Sequence, residues 1–236
     1  MLTVLISALV ALISFAPSAG SVFLDERSNA PQWINLRIEG SQTTIFEDLV
    51  LTKGHVVTTP SGGAHQCNGL NNNSNPFPGP TATSALDDAS KKKHFPFDGT
   101  FFDDFDDFLI TSIGPDAQTD TEFWGLLVNF QFAQVGGCQL EVSPGQKVLW
   151  SYNAFNVTAF LDLSGPKTVR RGQTATFQVI DGESGNPIVD ANVGGQLTDA
   201  NGHVQLVFNT AGKKSLKASK EGTVRSNALN VLVTSY

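Results

Sequence analysis

Residues 123–150 read FWGLLVNFQFAQVGGCQLEVSPGQKVLW, and the placing of glycine and proline in this stretch decides how the chain folds. Apolar runs alternate with Gly136-Gly137 and Pro144-Gly145, and such pairs mark turns. The pattern predicts a strand with a bend before the glycines. It predicts a further strand after Cys138, with the Pro144-Gly145 turn between its two arms.

The hundred residues before this stretch predict a hairpin and one helix. Ile34, Leu36 and Ile38 alternate with polar residues, and GSQTT turns the chain into IFEDLVL at 45–51, with KGHVVTTP continuing that second arm. TSALDDASKKK at 83–93 predicts a helix of at most three turns. Ser84 is its expected N-cap, and Lys91–Lys93 lie at its C-terminal end, where the helix dipole favours cations.

The segment FPFDGTFFDDFDDFLITSIGPD at 95–116 combines phenylalanines with aspartates. Phe101, Phe105 and Phe108 are spaced by four and three residues, which predicts a short helical turn with the rings on one face. The aspartates at 98, 103, 104, 106 and 107 would then form a solvated face. Their order does not match an EF-hand calcium loop. LITSIG is expected to form a strand.

From residue 158 the sequence consists of short alternating segments separated by Gly, Asn and Pro. Val204, Leu206 and Phe208 share one face of a strand, and Asn201-Gly202 lies where a tight hairpin turn is expected. About seven strands without a helix predict a small β-sandwich at 158–236. The chain is therefore expected to be mainly β, with a first domain at 32–157 joined to the sandwich almost without a linker.

The first domain resembles the β-grasp (ubiquitin-like α+β) domain related to the C-terminal domain of transcobalamin. The residues that carry the resemblance are Trp124, Val128-Asn129, Gly136-Gly137 and Pro144-Gly145, within roughly 32–155. The combination with residues 158–236, which look like immunoglobulin-like repeats, is similar to secreted two-domain proteins of filamentous fungi. Transcobalamin's helical barrel has no counterpart in this sequence, so corrin binding is not implied.

Residues 1–20 and the overall charge indicate where the protein acts. MLTVLISALVALISFAPSAG is an apolar run that ends in small residues, which is typical of a secretory signal peptide. The formal charge of −7 without a basic stripe argues against a nucleic-acid partner. A second long apolar stretch is missing, so no membrane insertion is expected. The predicted location is extracellular, with cell-wall association included.

Cys67 and Cys138 are the two cysteines, and Cys67 lies in HQCNGLNNNSNPFPGP at 65–80. In an oxidising compartment we expect them to form a disulfide that fastens the loop at 60–83. The alternative is a Cys–Gln thioester, because Gln66 and Gln139 adjoin the cysteines. Asn72 and Asn156 begin N-glycosylation sequons, which predicts a glycoprotein if the host is eukaryotic.

No catalytic motif stands out, and neither a metal site nor a cofactor is predicted. The four histidines are interpreted as surface or loop residues. The hypothesis is a non-enzymatic protein that binds an extracellular partner, a cell-wall glycan or a surface protein, in adhesion or host interaction. The candidate contacts are Asn68, Asn71, Phe77, Asp103 and Asp106, with Trp124 as a stacking platform. The rivals are a carbohydrate-active hydrolase using paired carboxylates such as Asp103 and Asp106, and a corrin-like small-ligand binder.

Overall fold

The computed structural model describes residues 29–235, and this part of the chain is mainly β, with 47% strand and 9% helix. The predicted signal peptide lies outside the described residues. Within them, no helix has the length and apolar character needed to cross a bilayer.

The first unit, residues 29–157, contains ten strands and one α-helix. They are β1 (Gln32–Glu39), β2 (Thr44–Thr52), β3 (His55–Thr59), β4 (Gly63–Cys67), α1 (Ala82–Lys93), β5 (Phe97–Phe102), β6 (Asp107–Ile113), β7 (Asp116–Ala117), β8 (Trp124–Val128), β9 (Gln131–Phe132) and β10 (Lys147–Tyr152). Two 3₁₀ turns, Asn71–Asn73 and Ala154–Asn156, complete it.

Five of these strands form a sheet in the order β2-β1-β10-β8-β9, in which β1 and β10 are parallel and the other pairs antiparallel. Alternation along β1 puts Ile34, Leu36 and Ile38 on one face, where they are fully buried in a core shared with α1. The predicted hairpin of β1 and β2 is therefore confirmed. The stretch KGHVVTTP does not continue β2, because β3 pairs with β4 in a separate hairpin.

Helix α1 has the predicted length, but its cap is different. Ser84 is not the N-cap. Thr81 is, since its hydroxyl accepts a hydrogen bond from Ser84 N (3.1 Å) and Ser84 Oγ accepts one from Thr81 N (2.8 Å). This reciprocal pair satisfies two backbone donors at the start of the helix. Lys91, Lys92 and Lys93 occupy the last turn, as predicted.

The aromatic segment is a β-hairpin, so the predicted helical turn is wrong. β5 and β6 pair antiparallel with Phe101 opposite Phe108, and residues 103–106 form the turn between them. Phe101 and Phe108 meet edge to face with ring centroids 5.0 Å apart. The spacing of seven residues between Phe101 and Phe108 fits two turns of a helix as well as a hairpin. The pairing of β5 with β6 determines that the hairpin forms.

The second unit, residues 158–235, contains nine strands and no helix among its described residues. They are β11 (Leu161–Ser164), β12 (Thr168–Arg170), β13 (Thr174–Asp181), β14 (Asn192–Val193), β15 (Gln196–Leu197), β16 (His203–Val207), β17 (Gly212–Leu216), β18 (Ala218–Ser219) and β19 (Leu229–Thr234). They form three sheets of three strands around one apolar cluster that includes Val204, Leu206 and Val231.

The two units are joined by a buried ion network. Glu39, on the face of the sheet opposite α1, is 2% exposed, and its carboxylate pairs with Lys217 and Arg225 of the second unit. Lys217 also lies 2.9 Å from Glu47, whose carboxylate accepts the backbone N–H of Ala228. The second unit therefore packs directly on the sheet, with charge pairing as its main polar contact.

We expect Glu39→Gln to lower the free energy of unfolding by about 3 kcal/mol, because Arg225 then loses its carboxylate partner at the junction and Lys217 keeps only Glu47. Urea unfolding at neutral pH measures this. The matched control is Asp48→Asn, which breaks an exposed pair with Lys92 and is expected to cost less than about 1 kcal/mol. Equal effects of the two substitutions would contradict the importance of the network.

Candidate functional site

The disulfide between Cys67 and Cys138 is present, as predicted, and it closes a separation of 71 residues. Cys67 ends β4 and Cys138 lies between β9 and β10, and both residues are fully buried. Since both sulfurs are used, the thioester is excluded. Next to the bond, Gly69 N donates to Cys138 O at 3.0 Å. The bond therefore attaches the asparagine-rich loop to the sheet.

Asn71 fastens the same loop to the tip of the β5–β6 hairpin. Its amide donates to Gln66 O (2.6 Å) and Asp106 O (3.0 Å), and its side-chain oxygen accepts from Asn68 N (3.2 Å). Asn71 is 4% exposed and Asn68 is half-buried. These two predicted binding residues organise the loop, and the side-chain groups of Asn71 are already used in these hydrogen bonds.

Asp106 also holds the loop. Its carboxylate accepts from Asn72 N (2.9 Å) and from the Asn71 amide (3.3 Å). Asp103 and Asp106 begin and end the same four-residue turn, so they do not face each other across a cleft. Of the predicted contacts, Phe77 (42% exposed) and Asp103 are the ones open to solvent.

The hairpin tip and the segment 133–139 form an open groove of about 650 Å³, with Asn72 of the fastened loop at its edge, and we call it the tip groove. Four of its apolar residues have exposed side chains, namely Phe102, Phe105, Leu109 and Val135, and Phe105 is 65% exposed. Polar groups reach the groove from Asn72, Gln134, Gln139 and Asp107. The exposed rings of Phe102 and Phe105 stand edge to face with centroids 6.5 Å apart.

Asp107 is a buried carboxylate at the base of this groove, although the sequence predicted a solvated aspartate. Burial raises its pKa to about 6, against the effect of backbone hydrogen bonds from Cys138, Phe108 and Gln139. Gly136 makes the close approach feasible, because a Cβ at this position would lie 2.3 Å from Asp107 Oδ2. The carboxyl group thus gains its charge near pH 6.

Trp124, the predicted stacking platform, is 6% exposed and belongs to the core of the sheet. Its indole N–H donates to Asp116 O at 3.2 Å. A stacking platform needs an open ring face, so this prediction is wrong. Trp150 is buried as well, whereas Trp33 is 54% exposed. The alternation along β1 could have predicted the exposure of Trp33, because its side chain points to the face opposite the buried Ile34 and Ile38.

A second group that sequence spacing did not reveal is formed by His55, Asp87 and Asp88. Their ligand atoms lie within 4.8 Å of one another, close enough to share a metal ion. His55 Nε2 lies 2.6 Å from Asp87 Oδ2, and this hydrogen bond raises the pKa of His55. Lys91 binds the same carboxylate oxygen of Asp87. The group therefore already connects β3 to α1 through hydrogen bonds and an ion pair.

The other histidines are only partly as predicted. His65 lies in β4 and stacks on Phe101 with ring centroids 3.5 Å apart, and His203 begins β16. His94 is an exposed helix C-cap. The sequon residues Asn72 and Asn156 are both exposed, and Asn72 lies on the rim of the tip groove. Their glycosylation stays a prediction.

The described residues define a mainly β protein with a disulfide-fastened aromatic groove. Residues 79–154, which run from just before α1 to just after β10, match a family model described as domain of unknown function DUF4430. That family is often linked to transcobalamin-like domains. No curated protein and no solved structure matches the chain.

Replacing both Cys67 and Cys138 by alanine is expected to lower the free energy of unfolding by about 4 kcal/mol, because the closed loop is long. Urea unfolding of this variant and of the reduced wild type should give the same loss. An unchanged unfolding midpoint after verified reduction would contradict this prediction.

The Asp107 carboxyl should titrate near pH 6, visible by NMR in the amide signals of Cys138 and Gln139. Since its pKa is raised above the unfolded value, the native state holds the extra proton between about pH 4 and 6, and stability falls as pH rises through this window. The full loss, about 3 kcal/mol, is reached above pH 6.

Asp107→Asn should abolish this component of the pH dependence, measured as the difference between wild-type and variant unfolding curves. Asp103→Asn, at an exposed position of the neighbouring turn, is the control and should leave the dependence unchanged. A wild-type carboxyl that titrates near pH 4 would show that the backbone donors outweigh burial.

Proposed function

We propose that this is a secreted, non-enzymatic protein that acts by binding at cell surfaces, in adhesion or host interaction, and that the tip groove is its contact. The observation that supports the proposal is an exposed aromatic groove whose backbone is held in place by the disulfide and by hydrogen bonds of Asn71. Phe102 and Phe105 present their rings to solvent, while the disulfide and Asn71 hold the elements behind them. Such preorganisation limits the entropy lost on binding.

The architecture supports this assignment at the level of the fold. We propose that residues 32–157 are a β-grasp domain related to the C-terminal domain of transcobalamin. The sheet order, the parallel pair β1 and β10, and the packing of α1 on one face agree with this. We further propose that residues 158–236 form an immunoglobulin-like sandwich that serves as a spacer or adhesive module.

The chemistry of the tip groove favours a surface protein as the partner, in preference to a glycan. Apolar side chains dominate its exposed lining, as in the central part of protein interfaces. Asp103 and Asp104, on the adjoining turn, are exposed and form no ion pair with any described residue. A partner that offers apolar anchors next to lysine or arginine would complement both features.

The rival hydrolase gains no support from the geometry. Asp103 and Asp106 share one turn, and Asp106 is engaged by the backbone of Asn72. Asp107 is the carboxylate that lines the tip groove, and it is held by backbone N–H groups. Two carboxylates on opposite sides of a cleft, as glycoside hydrolysis requires, are not formed by these residues.

Phe105→Ala is expected to weaken binding to isolated fungal cell walls at least about tenfold, because an exposed aromatic anchor is lost. The measurement is retention of labelled full-length protein on untreated, protease-treated and glycosidase-treated walls. Protease treatment should abolish retention and glycosidase treatment should not. The matched control is Phe155→Ala, which removes a ring that is 61% exposed outside the groove.

Retention that survives protease treatment and is lost with glycosidase would overturn the choice of a protein partner. Equal retention of the two phenylalanine variants would overturn the tip groove as the contact. Asp103→Asn/Asp104→Asn should slow association and reduce its dependence on salt, because these charges lie at the rim.

A further inference from the structure

The face of the sheet opposite α1 is only partly covered. Trp33, Asn35 and Arg37 follow one another along β1 on this face, and their register partners on β2 are Leu51, Leu49 and Glu47. Arg37 and Glu47 lie beneath the second unit, whereas Trp33, Leu49 and Leu51 have exposed fractions of 54%, 49% and 45%. The open end of this face therefore carries an aromatic and aliphatic platform.

A groove of about 540 Å³ leads from the platform to the junction of the two units, and we call it the junction groove. Asn35, Arg37, Phe130 and Lys147 line it from the first unit, and Lys167, Asn227 and Asn230 line it from the second. Ligand sites occur preferentially at such junctions. The amide side chains of Asn35 and Asn230 offer donors and acceptors from both walls, whereas the amide of Asn227 exchanges two hydrogen bonds with the backbone of Leu163.

Arg37 is the buried cation at the inner end of this groove, with 6% exposure. Among the described residues its hydrogen bond goes from Nη1 to Arg225 O at 3.1 Å, and Nε lies 4.0 Å from Glu39, which is too far for another. The guanidinium carries five N–H groups in a planar fork suited to a carboxylate. The ring of Phe130 lies 5.9 Å from Arg37 Cζ and supports the planar group.

The acidic residues of the junction groove are already paired. Glu47 accepts from Ala228 N at 2.6 Å and contacts Lys217, and Asp48 pairs with Lys92 at 2.8 Å. Lys167 forms no ion pair with any described residue, and Arg37, whose Nε lies 4.0 Å from Glu39, keeps N–H groups that no described residue accepts. The charge that remains available to a ligand in this groove is therefore positive, although the whole chain is acidic.

We propose that the platform and the junction groove together bind an oligosaccharide that carries carboxylate groups. A sugar ring would lie against Trp33 and Leu51, hydroxyl groups would bind Asn35 and Asn230, and a carboxylate would pair with Arg37 and Lys167. Trp33 and Arg37 are four residues apart on one strand, about 13 Å, so the ligand is longer than one ring. This site is separate from the tip groove and does not depend on the proposed function.

The test uses isothermal titration of the full chain with an oligogalacturonide, its fully methyl-esterified counterpart and a polyglutamate peptide. The acidic saccharide should bind, and the ester, in which a methyl group replaces each negative charge, should bind at least about tenfold more weakly. Trp33→Ala and Lys167→Met, both at exposed positions, should each weaken binding about tenfold. Phe105→Ala, in the tip groove, should have no effect.

Arg37→Met should abolish binding of the acidic saccharide, with folding checked by circular dichroism. If that variant fails to fold, Trp33→Ala and Lys167→Met still decide the question, because neither side chain is buried. Absence of binding at millimolar saccharide, equal binding of the ester, wild-type affinity in both exposed variants, or stronger binding of polyglutamate would each overturn the proposal.

Discussion

One short helix covers one face of a five-stranded sheet, and the rest of the structure follows from that constraint. Helix α1 has twelve residues, so it is about 18 Å long, and it buries only the face that carries Ile34, Leu36 and Ile38. The opposite face needs another cover, and the second unit supplies part of it. Phe160 and Val224 pack in one cluster with Phe130 and Leu149, and Glu39 pairs with Lys217 and Arg225. Because this cover is incomplete, the platform at Trp33 stays open.

The disulfide stabilises the asparagine-rich loop after Cys67, which is poor in apolar residues. Asparagine and glycine cannot bury enough surface to order such a segment. Cys67 fixes one end of the loop, and the side chain of Asn71 forms four hydrogen bonds, to β4, within the loop and to the hairpin tip. Asp107 in turn is held by the backbone of Cys138. The backbone around the exposed rings of the tip groove is therefore held by the disulfide, Asn71 and Asp107.

Features that depend on local pattern are predictable from the sequence. The alternation of Ile34, Leu36 and Ile38 predicted β1, and the oxidising context predicted the disulfide. Features that depend on contacts between residues far apart in the sequence were not predictable. The spacing of Phe101 and Phe108 fits a helix as well as a hairpin, and cross-strand pairing settles it. Asn71 looked like an exposed contact, but its hydrogen bonds to residues on both sides bury it. The exposure of Trp33 depends on what the second unit leaves uncovered.

The positions of the two grooves have a mechanical consequence. The tip groove lies at the fastened loop of the first unit, and the junction groove is built from both units. Any rearrangement between the units would change the junction groove, because Arg37 and Lys167 come from opposite walls. The tip groove would keep its shape, since the disulfide, Asn71 and Asp107 all lie within the first unit. Binding at the proposed junction site would thus be linked to the Glu39 network, whereas recognition at the proposed tip site would be independent of it.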